Sequence, residues 1–144
     1  MRDLFSPNPE DASTRPAWEH IAIGPQACVL RGFALHWQTT LLAHISAITQ
    51  QAPFRHLVTP GGRSMQVAMT NCGDLGWYSD RLGYRYTRTD PLSGQAWPAM
   101  PQAFADLATQ AASAAGLPPF NPNACLINRY AIGTRLTQHI DEGD

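Results

Sequence analysis

The segment ACLINRYAIGTRLTQHID, residues 124–141, reads as two β-strands joined by a turn. ACLINRYA and LTQHID contain the β-branched and aliphatic residues typical of strands, and IGTR between them predicts the turn. Residues two apart on a strand project to the same face. We therefore expect Asn128 and Tyr130 to point one way on the first strand, and His139 and Asp141 to share a face of the second.

The pair His139 and Asp141 has the donor types of a metal site. An imidazole and a carboxylate supply two of the three ligands of a 2-His-1-carboxylate site, which suits Fe(II). The motif is short, so two surface residues near a turn are the simpler alternative. Asn128 and Tyr130 add an amide and a phenol that could hydrogen-bond a carboxylate ligand beside the metal. The alternative for them is two ordinary polar positions on a half-exposed strand.

The middle of the chain concentrates arginine and aromatic residues. Residues 55–88 contain five arginines against two acidic residues, although the chain has a net charge of −1 and no lysine. Because aromatic rings stack on nucleobases and guanidinium groups contact phosphates, this composition favours nucleotide binding. An aromatic hairpin packed on its own core, with solvated arginines outside, is the alternative. The residues are Arg55, Arg63, Arg81, Arg85, Arg88, Trp77, Tyr78, Tyr84, Tyr86 and Trp97.

The predicted elements alternate in type, which indicates an α+β fold. Apolar residues at helical spacing predict a helix over residues 38–51. A second helix begins at Pro101 and stops at Gly116. Alternating apolar residues predict a strand over residues 65–69, with core packing as the simplest role of Met69.

Composition indicates a soluble globular protein. Of 144 residues, 44% are apolar and 15% charged, which allows one domain with a substantial core. Residues 1–26 form an extended lead-in to this domain, which occupies residues 27–144. Three widely spaced cysteines favour neither a disulfide framework nor a zinc site, so we expect free thiols in a reducing cytoplasm. No secretory signal and no membrane span is predicted.

Several long strings in the chain resemble one family. These are FRHLVTPGGRSMQVAMTNCGDLGW, GYRYTRTDP, WPAMPQAF, AASAAG and ACLINRYAIGTRL, followed by HID. They are similar, in this order, to the bacterial AlkB family of Fe(II)- and 2-oxoglutarate-dependent DNA dealkylation dioxygenases. The resemblance implies the N-terminal part of a double-stranded β-helix, or jelly-roll, with two helices packed on the sheet. It also implies a nucleotide-recognition lid over about residues 55–90.

The resemblance assigns roles to single positions. It implies that His139 and Asp141 are catalytic iron ligands, and that Asn128, Arg129 and Tyr130 contact 2-oxoglutarate. It implies that Trp77 stacks on the flipped, alkylated base. The remaining implied contacts with the nucleic acid are Tyr84, Arg85 and Tyr86 in the lid, with Thr59 and Met69 on the nucleotide-binding surface.

The implied reaction is oxidative demethylation of bases such as 1-methyladenine and 3-methylcytosine. Iron and 2-oxoglutarate activate O2, succinate and CO2 are formed, and the hydroxylated methyl group leaves as formaldehyde. The base must leave the helix to reach such a pocket. The implied partner is alkylated single-stranded DNA, with double-stranded DNA or RNA as further candidates, and the protein is expected to be a cytoplasmic monomer.

The family pattern continues beyond residue 144. Its second iron-binding histidine and its 2-oxoglutarate-binding arginine have no counterpart here, and Gly143 stands where the family has an acidic residue. We therefore expect residues 1–144 to be the N-terminal portion of a longer enzyme and to be inactive alone. A nucleic-acid-binding fragment without chemistry and a degenerate gene product are the alternatives.

Overall fold

The computed structural model describes residues 17–136 and combines helices with strands, as the α+β prediction requires. In chain order the elements are β1 (Glu19–Gly24), β2 (Ala27–Arg31), a 3-10 helix (Leu35–Trp37), α1 (Gln38–Gln51), β3 (Ala68–Gly73), β4 (Gly76–Asp80), β5 (Gly83–Thr87), α2 (Gln102–Ala114) and β6 (Ala124–Arg129).

The described strands form three antiparallel pairs, β1–β2, β3–β6 and β4–β5. Two of them are hairpins between neighbouring strands, whereas β3–β6 joins distant parts of the chain, with Ala68 opposite Arg129 and Gly73 opposite Ala124. The first five residues of β3 are all buried, so this strand runs through the interior. Closure of these pairs into a jelly-roll stays a prediction.

Helix α1 has the bounds that the apolar spacing predicts. Pro53 cannot continue the helix, and the Ala52 amide donates the last helical hydrogen bond to the Ile48 carbonyl at 2.9 Å. The hydroxyl of Thr70, on β3, donates to the Ala52 carbonyl at 2.6 Å and ties the helix end to the central strand.

Helix α2 also agrees with its predicted limits. It begins directly after Pro101 and ends near Gly116, which has a φ of +73° that favours glycine. The Leu117 amide donates to the Ala112 carbonyl at 2.9 Å, which closes the C-terminus. Within the described chain, no helix has the length and apolar character needed to cross a bilayer.

The hydrophobic core lies between the end of α1, strand β3 and the β4–β5 hairpin. Met65 and Trp77 pack against it from its edge. Because the hairpin contributes Tyr78 to this cluster, its position is set by core packing as well as by its own strand pairing. The buried members are Ala52, Leu57, Val67, Met69, Tyr78 and Trp97.

Two boundaries differ from the predictions. Residues 19–24, placed in the lead-in, form β1, because β2 supplies the backbone partners of this short segment. The strand predicted over residues 65–69 begins at Ala68. Val67 and Met69 nevertheless both reach the core, as their alternation predicts. The strand predicted over residues 136–141 lies largely outside the described residues.

Candidate nucleic-acid interface

The β4–β5 hairpin presents an aromatic face. Trp77 lies directly opposite Tyr86, and Tyr84 is two residues away on the same strand as Tyr86. The rings of Trp77 and Tyr84 stack, with centroids 5.6 Å apart and planes inclined by 19°. Tyr84 is 59% exposed and Tyr86 53% exposed. The prediction that the two tyrosines share one face is confirmed, and Trp77 joins them there.

Asn71 holds the backbone of Trp77. Its Nδ2 donates to the Trp77 carbonyl at 2.9 Å, and its Oδ1 accepts from the Trp77 amide at 3.0 Å. The side chain is only 2% exposed, so water does not compete for these bonds. Sequence reasoning missed this residue, although an asparagine inside the apolar strand AMTNCG is itself a signal of a specific hydrogen-bonding role.

A buried ion pair supports the hairpin from behind. Arg55 donates to both carboxylate oxygens of Asp90, at 2.6 and 2.8 Å, and also to the Pro53 carbonyl. The two side chains are 10% and 2% exposed, and the guanidinium lies over the Trp97 ring. The Trp97 Nε1 donates to the Thr87 carbonyl at 3.1 Å, which connects this cluster to β5. Arg55 is therefore structural in this fold, a role that its sequence position does not reveal.

The same cluster sets the charge state of Asp90. Burial alone would raise the pKa of this carboxyl, but the hydrogen bonds from Arg55 and from the Leu92 amide outweigh burial and hold the pKa below its usual value. Asp90 is therefore a carboxylate at neutral pH, and the charge of Arg55 is neutralised.

Arg85 does not lie on the same face of the hairpin as Tyr84 and Tyr86, its neighbours in the sequence. It lies opposite Tyr78, on the other face of the hairpin, and its guanidinium lies over the Tyr78 ring. It donates to both oxygens of Asp80, at 2.8 and 2.9 Å. These bonds lower the pKa of Asp80 and raise that of Arg85. The implied contact of Arg85 with a nucleic-acid backbone is at odds with this arrangement, because alternation along β5 turns it away from the aromatic face.

Three arginines of the middle segment remain exposed. Arg63, Arg81 and Arg88 lie on the surface, and none of them forms an ion pair within residues 17–136. Of the five arginines that the composition singles out, these three are therefore available to contact phosphate, whereas Arg55 is held in a buried ion pair and Arg85 in a partly exposed one.

Thr59 and Met69, the two residues implied at the nucleotide-binding surface, lie in different environments. Thr59 is half-buried, and its hydroxyl accepts a hydrogen bond from the Arg63 amide at 3.1 Å across a tight turn. Met69 is 6% exposed and belongs to the core. Its implied place on the nucleotide-binding surface stays a prediction. Core packing, the simpler role, applies because β3 is buried on both faces.

Strand β6 carries the residues implied for 2-oxoglutarate. Asn128 is exposed and lies opposite Met69, whereas Arg129 points to the other face, where its guanidinium sits over the Phe54 ring at 4.4 Å. Tyr130 follows the strand and is 49% exposed. An exposed amide and phenol fit a carboxylate ligand, so Asn128 and Tyr130 suit the implied role, whereas the arrangement of Arg129 does not.

The implied iron ligands His139 and Asp141 lie outside the described residues. Within residues 17–136, no group of three or more His, Cys, Asp or Glu side chains is placed to hold a metal ion. The described part of the chain therefore contains the β4–β5 hairpin and strand β6, but neither of the two implied ligands.

Two thiols face each other across the central pair of strands. Cys72, fully buried on β3, is the direct partner of Cys125 on β6. The hydrogen bond from Cys72 lowers the pKa of the Cys125 thiol, and the same bond, together with burial, raises the pKa of Cys72. Cys125 is therefore the thiol of the pair that ionises first.

Comparison with known proteins gives consistent relationships. Residues 26–144 match the model of the 2OG-Fe(II) oxygenase superfamily. The chain is 49% identical over 144 residues to the alpha-ketoglutarate-dependent dioxygenase AlkB of Escherichia coli, and 50% identical to the protein of that name from Salmonella typhimurium. It spans 63% of the length of each. An AlkB homolog of Caulobacter vibrioides is 42% identical over 107 residues, which is 74% of this chain and 47% of that protein.

Proposed function

The chain belongs to the 2OG-Fe(II) oxygenase superfamily, and from this we propose that it recognises alkylated nucleobases for iron- and 2-oxoglutarate-dependent demethylation. Its similarity to the AlkB dioxygenases over all 144 residues supports this proposal. The substrates are 1-methyladenine and 3-methylcytosine in single-stranded DNA, with double-stranded DNA or RNA as further substrates. The protein acts as a cytoplasmic monomer.

One observation carries the proposal. Trp77, Tyr84 and Tyr86 form an aromatic face, with the two tyrosines exposed and Trp77 half-buried, on a hairpin that is anchored by Asn71 and by the core. A base that leaves the helix loses its stacking partners, and an aromatic ring replaces them at about 1–3 kcal/mol per base. Three rings on a rigid hairpin are suited to that replacement, because little order has to be created on binding.

The exposed arginines complement this face. Arg63, Arg81 and Arg88 supply guanidinium groups that contact the phosphates on either side of the flipped base. Phosphate contacts position the strand without reading its sequence. Lesion selectivity therefore resides in the aromatic face and in the reacting centre beside it.

The residues that we assign to the reacting centre lie between positions 128 and 141. His139 and Asp141 are two ligands of the iron, and the Asn128 amide and Tyr130 phenol orient the carboxylate of 2-oxoglutarate. When bound, iron would supply, with O2 and 2-oxoglutarate as co-substrates, the oxidation that converts the N-methyl group into a hydroxymethyl group, with succinate and CO2 as co-products; the hydroxymethyl group then leaves as formaldehyde. Asn128 lies opposite Met69, and Met69 packs in the core against which Trp77 rests, so the two halves of the site are linked through the fold.

Binding of single-stranded oligonucleotides containing one 1-methyladenine tests the recognition half. We expect Trp77→Ala to weaken binding by about 5- to 100-fold, because it removes one stacking partner. Trp18→Ala is the matched control, since Trp18 packs on Phe33 in the β1–β2 region and should not affect binding. Equal affinities for the parent and Trp77→Ala would overturn the proposal. Comparison with duplex DNA and with RNA measures the strand preference.

Formaldehyde release tests the reaction half. It is measured with Fe(II), 2-oxoglutarate and a methylated oligonucleotide, for the parent and for His139→Ala. Release that persists in the variant contradicts the assignment of the iron ligand. Because residues 1–144 are expected to be inactive alone, release is measured on a chain that also contains the rest of the family pattern. Binding that depends on Trp77 without release from that longer chain supports the second candidate, a nucleic-acid-binding module.

A further inference from the structure

A cavity of about 320 Å³ opens beside the aromatic face, between the β4–β5 hairpin and the segment that enters β6. We propose that it is a second nucleobase site, which takes an unpaired base next to the alkylated nucleotide. This inference rests on the proposed function, because it extends the same nucleic-acid interface by one position. The residues that carry it are Leu75, Tyr86, Phe120, Asn121 and Asn123.

The walls of the cavity suit a flat heteroaromatic ring. Phe120 is 51% exposed and Tyr86 53% exposed, and Leu75 is half-buried between them and the core. Asn121 and Asn123 add exposed amides, each with a donor and an acceptor for the edge of a base. A volume of this size lies at the small end of ligand pockets, which begin at about 300 Å³.

The cavity lining carries no charged side chain, which favours a neutral ligand over phosphate. Its lining residues are leucine, tyrosine, phenylalanine, asparagine, proline and alanine, and none of them is charged. The exposed Arg88 follows Tyr86 by two residues, but no arginine lines the cavity itself. A neutral base is therefore the part of a nucleotide that this cavity accepts.

Backbone hydrogen bonds hold the cavity in shape. The amides of Asp74 and Leu75 donate to the Asn123 carbonyl at 2.9 and 3.3 Å, and the Thr109 hydroxyl of α2 donates to the Phe120 carbonyl at 3.1 Å. The two walls are thus tied to each other and to a helix, so the site exists before a ligand enters.

Tyr86 makes the cavity continuous with the first base site. This residue lines the cavity and lies directly opposite Trp77 in the hairpin, so the two sites share one side chain. Residues opposite each other in an antiparallel pair have Cβ atoms about 5 Å apart. A strand whose alkylated base stacks on Trp77 therefore delivers its neighbouring base to the cavity.

The test compares a mononucleotide, 1-methyladenosine monophosphate, with a pentanucleotide that carries 1-methyladenine at its centre. In two further pentanucleotides, one neighbouring base is removed to leave an abasic sugar, on the 5′ or the 3′ side. We expect removal on one side to weaken binding to the parent protein by about 5- to 10-fold, the lower part of the stacking range, because Phe120 is only half exposed. This arm needs no protein variant.

The variant arm uses Phe120→Ala, with Leu117→Ala as the matched control. Leu117 is 54% exposed on the same segment and does not line the cavity. Phe120→Ala should weaken pentanucleotide binding by the same factor, leave mononucleotide binding unchanged, and add nothing when the neighbouring base is already absent. Leu117→Ala should change none of these values.

Equal affinities for the intact and both abasic pentanucleotides overturn the second site. If Trp77→Ala still weakens mononucleotide binding in that case, the proposed function stands without it. If Trp77→Ala leaves mononucleotide binding unchanged, the proposed function itself fails. The two failures are therefore distinguishable.

Discussion

Asn71→Asp is the most direct test of how Asn71 anchors the β4–β5 hairpin. The substitution preserves shape and the acceptor that receives the Trp77 amide, but replaces the amide donor with a second acceptor facing the Trp77 carbonyl. At neutral pH the new carboxylate would be buried at a position that is 2% exposed. Burial raises the pKa of such a carboxyl, because the charged form loses its water.

The size of the effect follows from the lost bond and the buried charge. One unpaired buried group costs about 1–3 kcal/mol. A pKa raised by about two units corresponds to about 2.7 kcal/mol above that pKa, and this figure already contains the lost bond. As a neutral acid the group again donates to the carbonyl and accepts from the amide. The stability difference from the parent should therefore be small below about pH 4, the pKa in the unfolded chain, and should grow as the pH rises through the raised pKa of the folded state.

Urea unfolding at pH 4 and pH 8 measures this difference. With a slope of about 2 kcal/mol/M, we expect the midpoint of the variant to lie about 1.5 M below the parent at pH 8 and about 0.5 M below at pH 4. Asn71→Leu, which has neither polar atom, is the control and should show the same deficit at both values. A deficit of Asn71→Asp that does not change with pH would refute the hydrogen-bonding role assigned to Asn71.

Three other changes test the surroundings of the hairpin. Asp90→Asn should lower stability by about 3 kcal/mol at pH 7, since it leaves the Arg55 charge buried without its partner. The pKa of Asp90 is lowered in the folded protein, so the parent should lose its extra stability over Asp90→Asn only when the pH falls through this lowered pKa. Gly76→Ala should cost about 1–3 kcal/mol or more in thermal or urea unfolding, because an added Cβ would lie 2.4 Å from the Trp97 ring. Cys125 should react with iodoacetamide at a lower pH than free cysteine, since its pKa is lowered.

Each change has a matched control. Asp80→Asn breaks the exposed pair with Arg85 and should leave the unfolding midpoint unchanged, and a loss as large as that of Asp90→Asn contradicts the contrast between the two pairs. Gly61→Ala, with no neighbouring atom closer than 3.9 Å, should be tolerated where Gly76→Ala is not. Cys72→Ala should raise the pH at which Cys125 reacts, and an unchanged profile would show that the opposed thiol is not the cause.

The bounds of α1 and α2 are predictable from the sequence because they depend on local chemistry. Apolar spacing defines the buried stripe of each helix, and Pro53, Pro101 and Gly116 act on the backbone next to them. The shared face of Tyr84 and Tyr86 is predictable for the same reason, since alternation is a local property of a strand. Strand β1 is less predictable, because its six residues follow a Pro-rich segment and form a strand by pairing with β2.

Which arginines are neutralised and which remain exposed is not predictable from the sequence. The sequence does not distinguish the five arginines of residues 55–88, and their composition alone leaves nucleotide binding and an aromatic hairpin with solvated arginines both open. Two of them are neutralised by aspartates, one of which lies 35 residues away along the chain. Only the folded chain decides which guanidinium groups face solvent.

The family motif and the aromatic composition can therefore be recognised from the sequence alone, because the chemistry requires those side chains at those spacings. The neutralisation of Arg55 by Asp90 and the pairing of β3 with β6 arise from contacts between segments that lie far apart in the sequence. Such contacts are selected by the burial and hydrogen bonding of the whole core, so they become visible only when β3, β6 and the hairpin are packed together.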